Sequence, residues 1–308
     1  MFLSILANLI GLYSLVTLPL TSSFTIDVSD FESLGRVSLI KNDYQLEAPV
    51  RKNNHSLGIE ITAAVAIVVD KNSGTVLWQK NPQQIRSVAS ITKLLSVLVF
   101  LEHNPGWEET VKIKKSDYRD GGRRYVYTGE EITVRDLFNI SLVASDNTAI
   151  TSLVRSTGIA EEDFVKLMND KAKSLGMSQG SFTEPTGLDS ENKSSASDII
   201  KLIKTAFNHP EIRQTTVQPE YQFTVLNNSK SRSIESTNQL LTSYLDIRAG
   251  KTGHLEEAGF CFTGLVKGSV NQEVYVVILG SSNHTGRFQE FKSLAQWAFD
   301  NYEWKVVD

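Results

Sequence analysis

Segments rich in β-forming residues lie near both ends of this 308-residue chain, and helical patterns lie between them. An apolar run at 63–69 ends in the turn sequence of residues 70–74, and residues 75–79 predict the returning strand. Two more strands are predicted late in the chain, at 259–266 and 273–279. We therefore predict an α/β (α+β) fold, in which the two ends of the chain build one antiparallel sheet flanked by helices.

The spacing of apolar residues predicts five helices, at 90–101, 133–142, 164–175, 197–207 and 287–302. The first of these is apolar on nearly every side, whereas a helix at the surface is apolar on one face. This first helix is therefore expected to be buried, and a polar side chain on it would be removed from water.

The first charged side chain is Asp27, and residues 2–20 are mostly apolar. This pattern is typical of an export signal peptide with small residues at 21–23 for cleavage, or of an uncleaved anchor, in either case spanning 1–23. A buried core helix is the other interpretation, and a basic leader region is missing. Both export interpretations predict an extracytoplasmic location, in the periplasm or cell-wall space. Residues 24–58 show no clear period and predict a linker or wrapping segment.

The composition argues against several classes of function. The net charge is −4, from 31 basic and 35 acidic residues, so no cationic surface for nucleic acid is expected. The five histidines lack the spacing of metal ligands, and no phosphate-binding loop or dinucleotide-binding glycine motif occurs. We therefore expect neither a metal nor a cofactor. The single cysteine, Cys261, lies in an apolar run and is expected to be a packed thiol.

Three short motifs follow one another: S-x-x-K at 90–93, S-x-N at 145–147 and K-T-G at 251–253. K-T-G occurs once, whereas the other two patterns also occur at 38–41, 190–193 and 236–238. The predicted elements separate the copies of S-x-x-K, because one falls in the irregular N-terminal segment and another in a polar loop. Ser90 instead stands at the start of the buried helix. There Ser90 and Lys93 share one face, close to backbone N–H groups that have no partner within the helix.

These residue types suit nucleophilic catalysis. A serine hydroxyl needs a base within hydrogen-bond reach, and Lys93 can be that base for Ser90. Burial and a neighbouring cation would lower the pKa of Lys93 towards neutrality. Lys251 would supply that cation if the fold brings K-T-G alongside.

The remaining motif residues suit proton relay and substrate binding. The Ser145 hydroxyl can pass a proton between the lysines and a leaving group. Asn147 offers an amide that can hold a substrate peptide group, and Thr252 offers a hydroxyl for a substrate carboxylate. Gly253 is expected to allow close approach of the backbone, since a side chain there would block the cleft.

The chain resembles the low-molecular-mass penicillin-binding proteins, the family of serine D-alanyl-D-alanine carboxypeptidases. The resemblance covers most of residues 60–302. Beyond the three motifs it includes the sequences at 70–77, 86–93, 128–137, 185–188, 250–260 and 286–287. It implies a β-lactamase/transpeptidase-like fold for a catalytic domain at 59–308, with an all-helical subdomain at about 94–205.

The resemblance also implies an activity. Ser90 would attack the terminal D-Ala-D-Ala bond of a peptidoglycan stem peptide, and water would hydrolyse the acyl-enzyme; β-lactam antibiotics would acylate the same serine. The implied oxyanion donors are the backbone N–H groups of Ser90 and His254, which leaves the His254 side chain incidental. Arg287 matches a family arginine that helps to hold the substrate carboxylate. The alternative interpretation is that Arg287 is a surface residue at the start of a helix, without a role in substrate binding.

Two features depart from the family. Arg123 and Arg124 stand where relatives often carry small hydroxyl residues, which is expected to alter one wall of the cleft. Members of the family often carry a C-terminal β-rich domain after the catalytic domain. Here the predicted catalytic domain extends to Asp308, and no such domain is expected. Membrane attachment is therefore expected only through the N-terminal segment.

The sequence leaves other functions open. A D,D-endopeptidase acting on cross-links would carry the same motifs. A β-lactamase would need a glutamate that activates the deacylating water, and Glu184 is the candidate, although residues 186–188 fit the carboxypeptidase pattern better. A penicillin-recognising sensor or wall-binding module would need a membrane partner, and no second long apolar segment occurs. An α/β domain without any of these activities is the remaining alternative.

Overall fold

A five-stranded antiparallel sheet forms the centre of the protein, in a computed structural model that describes residues 47–53 and 56–305. The predicted signal peptide or anchor and the S-x-x-K copy at 38–41 lie outside the described residues. The strands within them are β1 (Val50–Arg51), β2 (Val65–Asp70), β3 (Val76–Lys80), β4 (Arg86–Ser87), β5 (Thr110–Lys112), β6 (Glu131–Thr133), β7 (Lys193–Ser194), β8 (Glu220–Val225), β9 (Lys230–Glu235), β10 (Asp246–Leu255), β11 (Gly259–Lys267), β12 (Glu273–Ser281) and β13 (Tyr302–Glu303). The order in the central sheet is β10-β11-β12-β2-β3, which confirms the predicted pairing of the two ends of the chain.

Helices cover both faces of this sheet. Within the described residues they are α1 (Thr92–Glu102), α2 (Val134–Val143), α3 (Asn147–Ser156), α4 (Glu161–Ser174), α5 (Ala196–Ala206), α6 (Pro210–Thr216) and α7 (Gly286–Asn301). Helices α1 to α6 contribute to the apolar core on one face, and α7 contributes to the core on the other. The mixed fold with a helical middle region is therefore confirmed.

The alternation of side chains along β2 shows how one strand serves both cores. Val65, Ile67 and Val69 pack into the core shared with α1 to α6, whereas Ala66 and Val68 pack into the core shared with α7. Successive side chains of a strand point to opposite faces, so a strand covered on both faces is apolar throughout. This explains the unbroken apolar run that predicted the strand.

Helix α1 is buried as predicted, since every residue from Thr92 to Phe100 is buried. The α-helix begins at Thr92 and not at Ser90, because residues Ala89–Ile91 form a 3-10 turn in which Ala89 has a φ of +48°. Ser90 therefore lies in a tight turn immediately before a buried helix. This turn faces β10 at the edge of the central sheet.

Strand β10 was absent from the sequence-based prediction, although it carries K-T-G. Its sequence includes three charged residues and two glycines, types that are depleted in strands. Pairing with β11 from Asp246 to Leu255 makes the segment a strand in spite of its composition. Helices α3 and α6 and the hairpin of β8 and β9 were also not predicted.

The described part of the predicted linker lies against the C-terminal end of the domain. Strand β1 pairs antiparallel with β13, and the N–H of Glu47 donates to the carbonyl of Lys305 over 2.9 Å. Cys261 is fully buried, as expected of a packed thiol, and burial raises its pKa to about 11. No helix among the described residues combines the length and apolar character needed to cross a membrane.

Candidate active site

Ser90 and Lys93 meet at the N-terminal end of α1. Lys93 Nζ donates a hydrogen bond to Ser90 Oγ over 2.8 Å, in agreement with their predicted position on one face. The same nitrogen donates to Asn147 Oδ1 at 2.7 Å and to the Thr186 carbonyl at 2.6 Å. The Lys93 side chain has no solvent exposure, so these three acceptors replace the water that it has lost.

Burial lowers the pKa of Lys93 to about 7, because the apolar surroundings of α1 solvate the ammonium poorly. The carboxylates of Glu184 and Asp146 act in the opposite direction. The expected neighbouring cation, Lys251, is close enough for the two charges to interact, and the repulsion contributes to the lowered pKa of Lys251. A substantial fraction of Lys93 is therefore a neutral amine near pH 7, as a general base requires.

Lys251 forms a second lysine–serine pair. Its Nζ donates to Ser145 Oγ over 2.7 Å and to the carbonyl of Thr252 over 3.0 Å, and its side chain is buried. Burial, followed by the charges of Lys93 and Arg287, holds its pKa well below the usual range. K-T-G and S-x-N are thus joined by a direct hydrogen bond, as the proton-relay hypothesis requires.

The turn between α2 and α3 carries S-x-N, and its middle residue has a structural role. Asp146 caps α3 by accepting from the N–H of Ala149 over 2.8 Å, and it accepts from the N–H of Tyr125 over 2.6 Å. Asn147 donates from Nδ2 to the carbonyl of Gly121 over 2.7 Å, while its amide oxygen accepts from the lysine of S-x-x-K. The amide oxygen and one N–H of Asn147 are therefore engaged within the protein, which positions the base and one cleft wall.

The backbone that carries Ser90 is packed between two glycines. A Cβ on Gly253 would lie 3.0 Å from the Val88 carbonyl oxygen and 3.2 Å from Ser90 N, which confirms the close approach predicted for K-T-G. A Cβ on Gly187, whose φ is +82°, would lie 2.1 Å from the Ala89 carbonyl oxygen. No side chain fits at either position without moving the turn, so the two glycines fix the nucleophile's backbone from both sides.

Thr252 and Thr237 form a pair of hydroxyls at one end of the cleft, 2.6 Å apart. Thr237 belongs to the S-x-N copy at 236–238, for which no role was predicted. Ser236 and Thr237 both line the cleft beside K-T-G. The repeated motif pattern was therefore the sequence signal that could have identified this wall.

Arg287 is buried, so the alternative of a surface arginine is wrong. Its Nη1 donates to the carbonyl of Gly253 over 2.9 Å and to that of Cys261 over 3.4 Å. The guanidinium lies 4.7 Å from the ring centroid of Phe288 and 5.5 Å from that of Phe260. Burial lowers its pKa to about 10, and it remains cationic at neutral pH behind the K-T-G backbone.

His254 is exposed at the cleft rim. Its ring stacks on Phe260 with a centroid distance of 4.1 Å, and burial together with the Arg287 charge lowers its pKa. The Ser90 hydroxyl is hydrogen-bonded to Lys93 and not to this imidazole. The geometry therefore agrees with an incidental role for the His254 side chain.

Glu184 is the hydrogen-bond acceptor at the centre of its own loop. Its carboxylate accepts hydrogen bonds from five donors: the N–H groups of Thr186, Gly187, Leu188 and Asp189 and the side-chain amide of Asn192. Glu184 is also absent from the residues that line the cleft, so its position gives no support to the role of water-activating base in a class A β-lactamase.

The predicted residues surround one cleft of about 400 Å³. Seven of the nine line it, namely Ser90, Ser145, Asn147, Thr252, Gly253, His254 and Arg287. Lys93 and Lys251 are buried and reach it through their serine partners. Arg123 also lines the cleft, as its departure from the family pattern suggested, and Tyr125 and Glu235 line it without having been predicted. The described residues contain no group of three metal-ligating side chains that could hold an ion.

Comparison with known proteins places this geometry in a family context. The family model described as D-alanyl-D-alanine carboxypeptidase, Peptidase_S11, matches residues 50–283. Two relatives are named D-alanyl-D-alanine endopeptidase. That of Pseudomonas aeruginosa is 31% identical over 254 residues, covering 81% of each chain, and that of Escherichia coli is 33% identical over 245 residues, covering 77% of each. Penicillin-Binding Protein D2 from Listeria monocytogenes, in its cefotaxime-bound form, has a TM-score of 0.70 and 29% identity, covering 79% of this chain and 100% of the other.

The contact between Gly187 and the nucleophile's turn leads to a testable prediction. Gly187→Ala is expected to slow the covalent reaction of Ser90 with a penicillin by about 10²-fold, because displacement of a reacting group by about 1 Å has a cost of this size. The measurement is the rate of acyl-enzyme formation by intact mass.

Gly158→Ala is the matched control, because Gly158 has a φ of +76° and open space around its Cβ position. It carries the same backbone strain, about 1–2 kcal/mol, without the clash. Equal acylation rates in the two variants would show that the contact with Ala89 does not position the nucleophile.

Proposed function

Because the chain belongs to the D-alanyl-D-alanine carboxypeptidase family of serine peptidases, we propose that it hydrolyses the terminal D-Ala-D-Ala bond of peptidoglycan stem peptides through a Ser90 acyl-enzyme. The observation that carries this proposal is the 2.8 Å hydrogen bond between Ser90 Oγ and a lysine whose pKa is lowered to about 7. A serine paired with a base of this pKa is an activated nucleophile at neutral pH.

In the acylation step, Ser90 Oγ forms a bond to the carbonyl carbon between the two D-alanines. The hydroxyl proton passes to neutral Lys93. Collapse of the tetrahedral intermediate breaks the C–N bond, and the terminal D-alanine leaves as an amine after it receives a proton. Lys93 then passes its proton to the Lys251–Ser145 pair, which replaces the one given to the leaving amine, and is a neutral amine again. In the second step a water attacks the ester carbonyl and gives a proton to Lys93, which delivers it to Ser90 Oγ as the ester C–O bond breaks and the shortened peptide is released.

Proton delivery to the leaving amine is assigned to Ser145. Its hydroxyl lines the cleft and accepts a hydrogen bond from Lys251, so it can give a proton to the departing nitrogen and regain one from the lysine. Lys93, which is hydrogen-bonded to Asn147, is the base for Ser90. The two lysine–serine pairs thus supply one base and one relay.

Substrate orientation is assigned to the K-T-G strand. The Thr252 hydroxyl, next to the Thr237 hydroxyl, receives the carboxylate of the terminal D-alanine, and buried Arg287 adds positive potential from behind Gly253. The backbone N–H groups of Ser90 and His254 are assigned to the oxyanion. The close approach of Gly253 to Ser90 N supports this assignment, since it brings the two segments together.

β-Lactam antibiotics are proposed as inhibitors that acylate the same serine. The engagement of Glu184 by backbone N–H groups supports a long-lived adduct, since no other glutamate was a candidate for the deacylating base. A wall-acting enzyme of this kind would work outside the cytoplasm, in the periplasm or cell-wall space. Export by the apolar segment at 1–23, cleaved or retained as an anchor, is part of this proposal.

The test is intact-mass analysis after incubation with a fluorescent penicillin. The wild-type protein is expected to gain the mass of one penicillin and to retain it, and Ser90→Ala is expected to gain none, because the attacking oxygen is absent. Undiminished labelling of Ser90→Ala would refute the assigned nucleophile. Rapid multiple turnover of a chromogenic cephalosporin by the wild type would instead indicate a β-lactamase.

A D,D-endopeptidase is the second candidate, favoured by the names of the relatives from Pseudomonas aeruginosa and Escherichia coli. The two activities share the acylation chemistry and differ in the leaving group. Digestion of purified muropeptides distinguishes them: a carboxypeptidase releases free D-alanine from pentapeptides, whereas an endopeptidase separates cross-linked dimers into monomers.

A further inference from the structure

His284 lines the cleft, although none of the three sequence motifs includes it. It lies in the turn between β12 and α7, and its side chain is exposed. Hydrogen bonds hold this turn in place: Asn283 Oδ1 accepts from the N–H of Gly286 over 2.7 Å, and the N–H of Ser282 donates to Thr62 Oγ1 over 3.2 Å. The imidazole is therefore presented to the cleft from a turn with a set position.

Aromatic contacts orient the His284 ring and leave its nitrogens free. The ring meets those of Phe260 and Phe288 edge to face, with centroid distances of 5.9 Å and 5.8 Å. The guanidinium of Arg287 lies over the same two rings, so His284 and Arg287 are neighbours around one pair of phenylalanines. Neither nitrogen of the His284 ring has a hydrogen-bond partner among residues 47–53 and 56–305, so both can serve a ligand.

The cations already assigned to this end of the cleft direct their hydrogen bonds into the protein. The substrate carboxylate is assigned to the hydroxyl pair of Thr252 and Thr237, which carries no charge. Arg287 Nη1 donates to two backbone carbonyls, and Lys251 Nζ donates to a backbone carbonyl and to Ser145. A cationic donor whose N–H faces the cleft would add a charge-assisted hydrogen bond beyond those of the hydroxyl pair.

We propose that His284 is a substrate-binding residue that donates a hydrogen bond to the C-terminal carboxylate, and that its imidazolium form binds this carboxylate more tightly than its neutral form. The inference rests on the proposed peptidase function and adds to it a binding residue whose charge changes in mild acid. The same contact is expected with a penicillin, since both ligands carry a carboxylate next to the reacting amide. No step of acyl transfer passes through His284.

The direction of the pH effect follows from the surroundings of His284. Burial, followed by the charges of Arg287 on α7 and His254 on β10, lowers its pKa below the usual 6.5. The acidic residues at this end of the adjoining elements form no ion pair with the imidazole: Glu256 and Glu257 between β10 and β11, and Glu290 in the first turns of α7. His284 is therefore neutral at pH 7, and it gains its charge as the pH falls below 6.5. A C-terminal carboxylate, with a pKa of about 3.3–3.7, stays anionic there.

The experiment measures the affinity of the Ser90→Ala variant for diacetyl-L-Lys-D-Ala-D-Ala by calorimetry between pH 5 and pH 8. Ser90→Ala prevents turnover, and the terminal carboxylate is the only ionisable group of this peptide. Adding His284→Phe keeps a ring against Phe260 and Phe288 but removes the titrating group. It is expected to weaken binding about fivefold at pH 5, the scale of one charge-assisted hydrogen bond at an exposed site, and much less at pH 8.

Two further measurements separate the charge of His284 from its shape. His284→Lys carries a cation throughout this pH range, so at pH 8 it is expected to bind the peptide more tightly than the protein with histidine. The NMR signal of the His284 ring, identified by its loss in His284→Phe, should titrate at a higher pH when the peptide is bound, because a bound carboxylate favours the imidazolium.

His103→Phe is the matched control, because His103 is exposed at the end of α1 and does not line the cleft. It should leave the affinity unchanged at every pH. The pKa of Lys93 is about 7 and that of Lys251 is also lowered, so both lysines contribute to the pH dependence in every variant. The effect of His284 is therefore the difference between variants. Arg123, which also lines the cleft, stays charged and adds no pH dependence.

The outcomes separate this inference from the function on which it rests. A loss with His284→Phe that is equal at pH 5 and pH 8, or that also occurs with a peptide ending in D-alaninamide, would overturn the inference. An affinity unchanged by His284→Phe would do the same, and covalent labelling of wild-type Ser90 by penicillin would then leave the proposed function standing. Failure of the wild type to react with penicillin, together with failure of Ser90→Ala to bind the peptide, would reject both.

Discussion

The complete burial of Lys93 beside the Ser90 hydroxyl is the interaction on which the rest of the structure depends. Lowering the lysine pKa from 10.5 to about 7 corresponds to a net destabilisation of the ammonium form on the order of 5 kcal/mol. Between these two pH values the unfolded chain binds a proton that the folded chain lacks, so this destabilisation is greatest below pH 7 and is lost as the pH rises towards 10.5. The apolar cores on both sides of the sheet offset that cost, and α1, buried along most of its length, is the element that imposes it.

Two carboxylates near this lysine act mainly through the backbone. Asp146 caps α3 and accepts a hydrogen bond from the N–H of Tyr125. Glu184 accepts hydrogen bonds from backbone N–H groups of its own loop. Both raise the pKa of Lys93 without forming an ion pair with it, so the amine stays poised between its two protonation states. The positive φ values of Ala89 and Ser145 place backbone strain at both serine-bearing turns, a cost of about 1 kcal/mol or more at each. Packing against Gly187 and Gly253 holds the first of these turns in place.

The sequence predicted the elements whose composition agrees with their environment, and it failed where tertiary contacts override composition. Strand β2 and the buried helix α1 could be predicted because an unbroken apolar run suits an element that is covered on every side. Strand β10 could not be predicted in this way, because charged residues and glycines are rare in strands. They are tolerated here because Lys251 and Gly253 face a site that distant segments of the chain assemble. Motif order identified seven of the nine candidate residues, and the family resemblance added His254 and Arg287. The position of Thr237 against Thr252 depends on a fold that one sequence does not display. The buried state of Arg287 was hidden for the same reason.

The central claim is that Lys93 acts as the neutral base for Ser90, and the pH dependence of acylation tests it most directly. A neutral amine can accept the Ser90 proton and an ammonium cannot, so the second-order rate constant for penicillin acylation should rise with pH through an apparent pKa of about 7 and then level off. The measurement is acyl-enzyme formation followed from pH 5 to 10, at concentrations well below saturation. A rate that is independent of pH across this range, or one that rises only towards the ordinary lysine pKa near 10.5, would contradict the account.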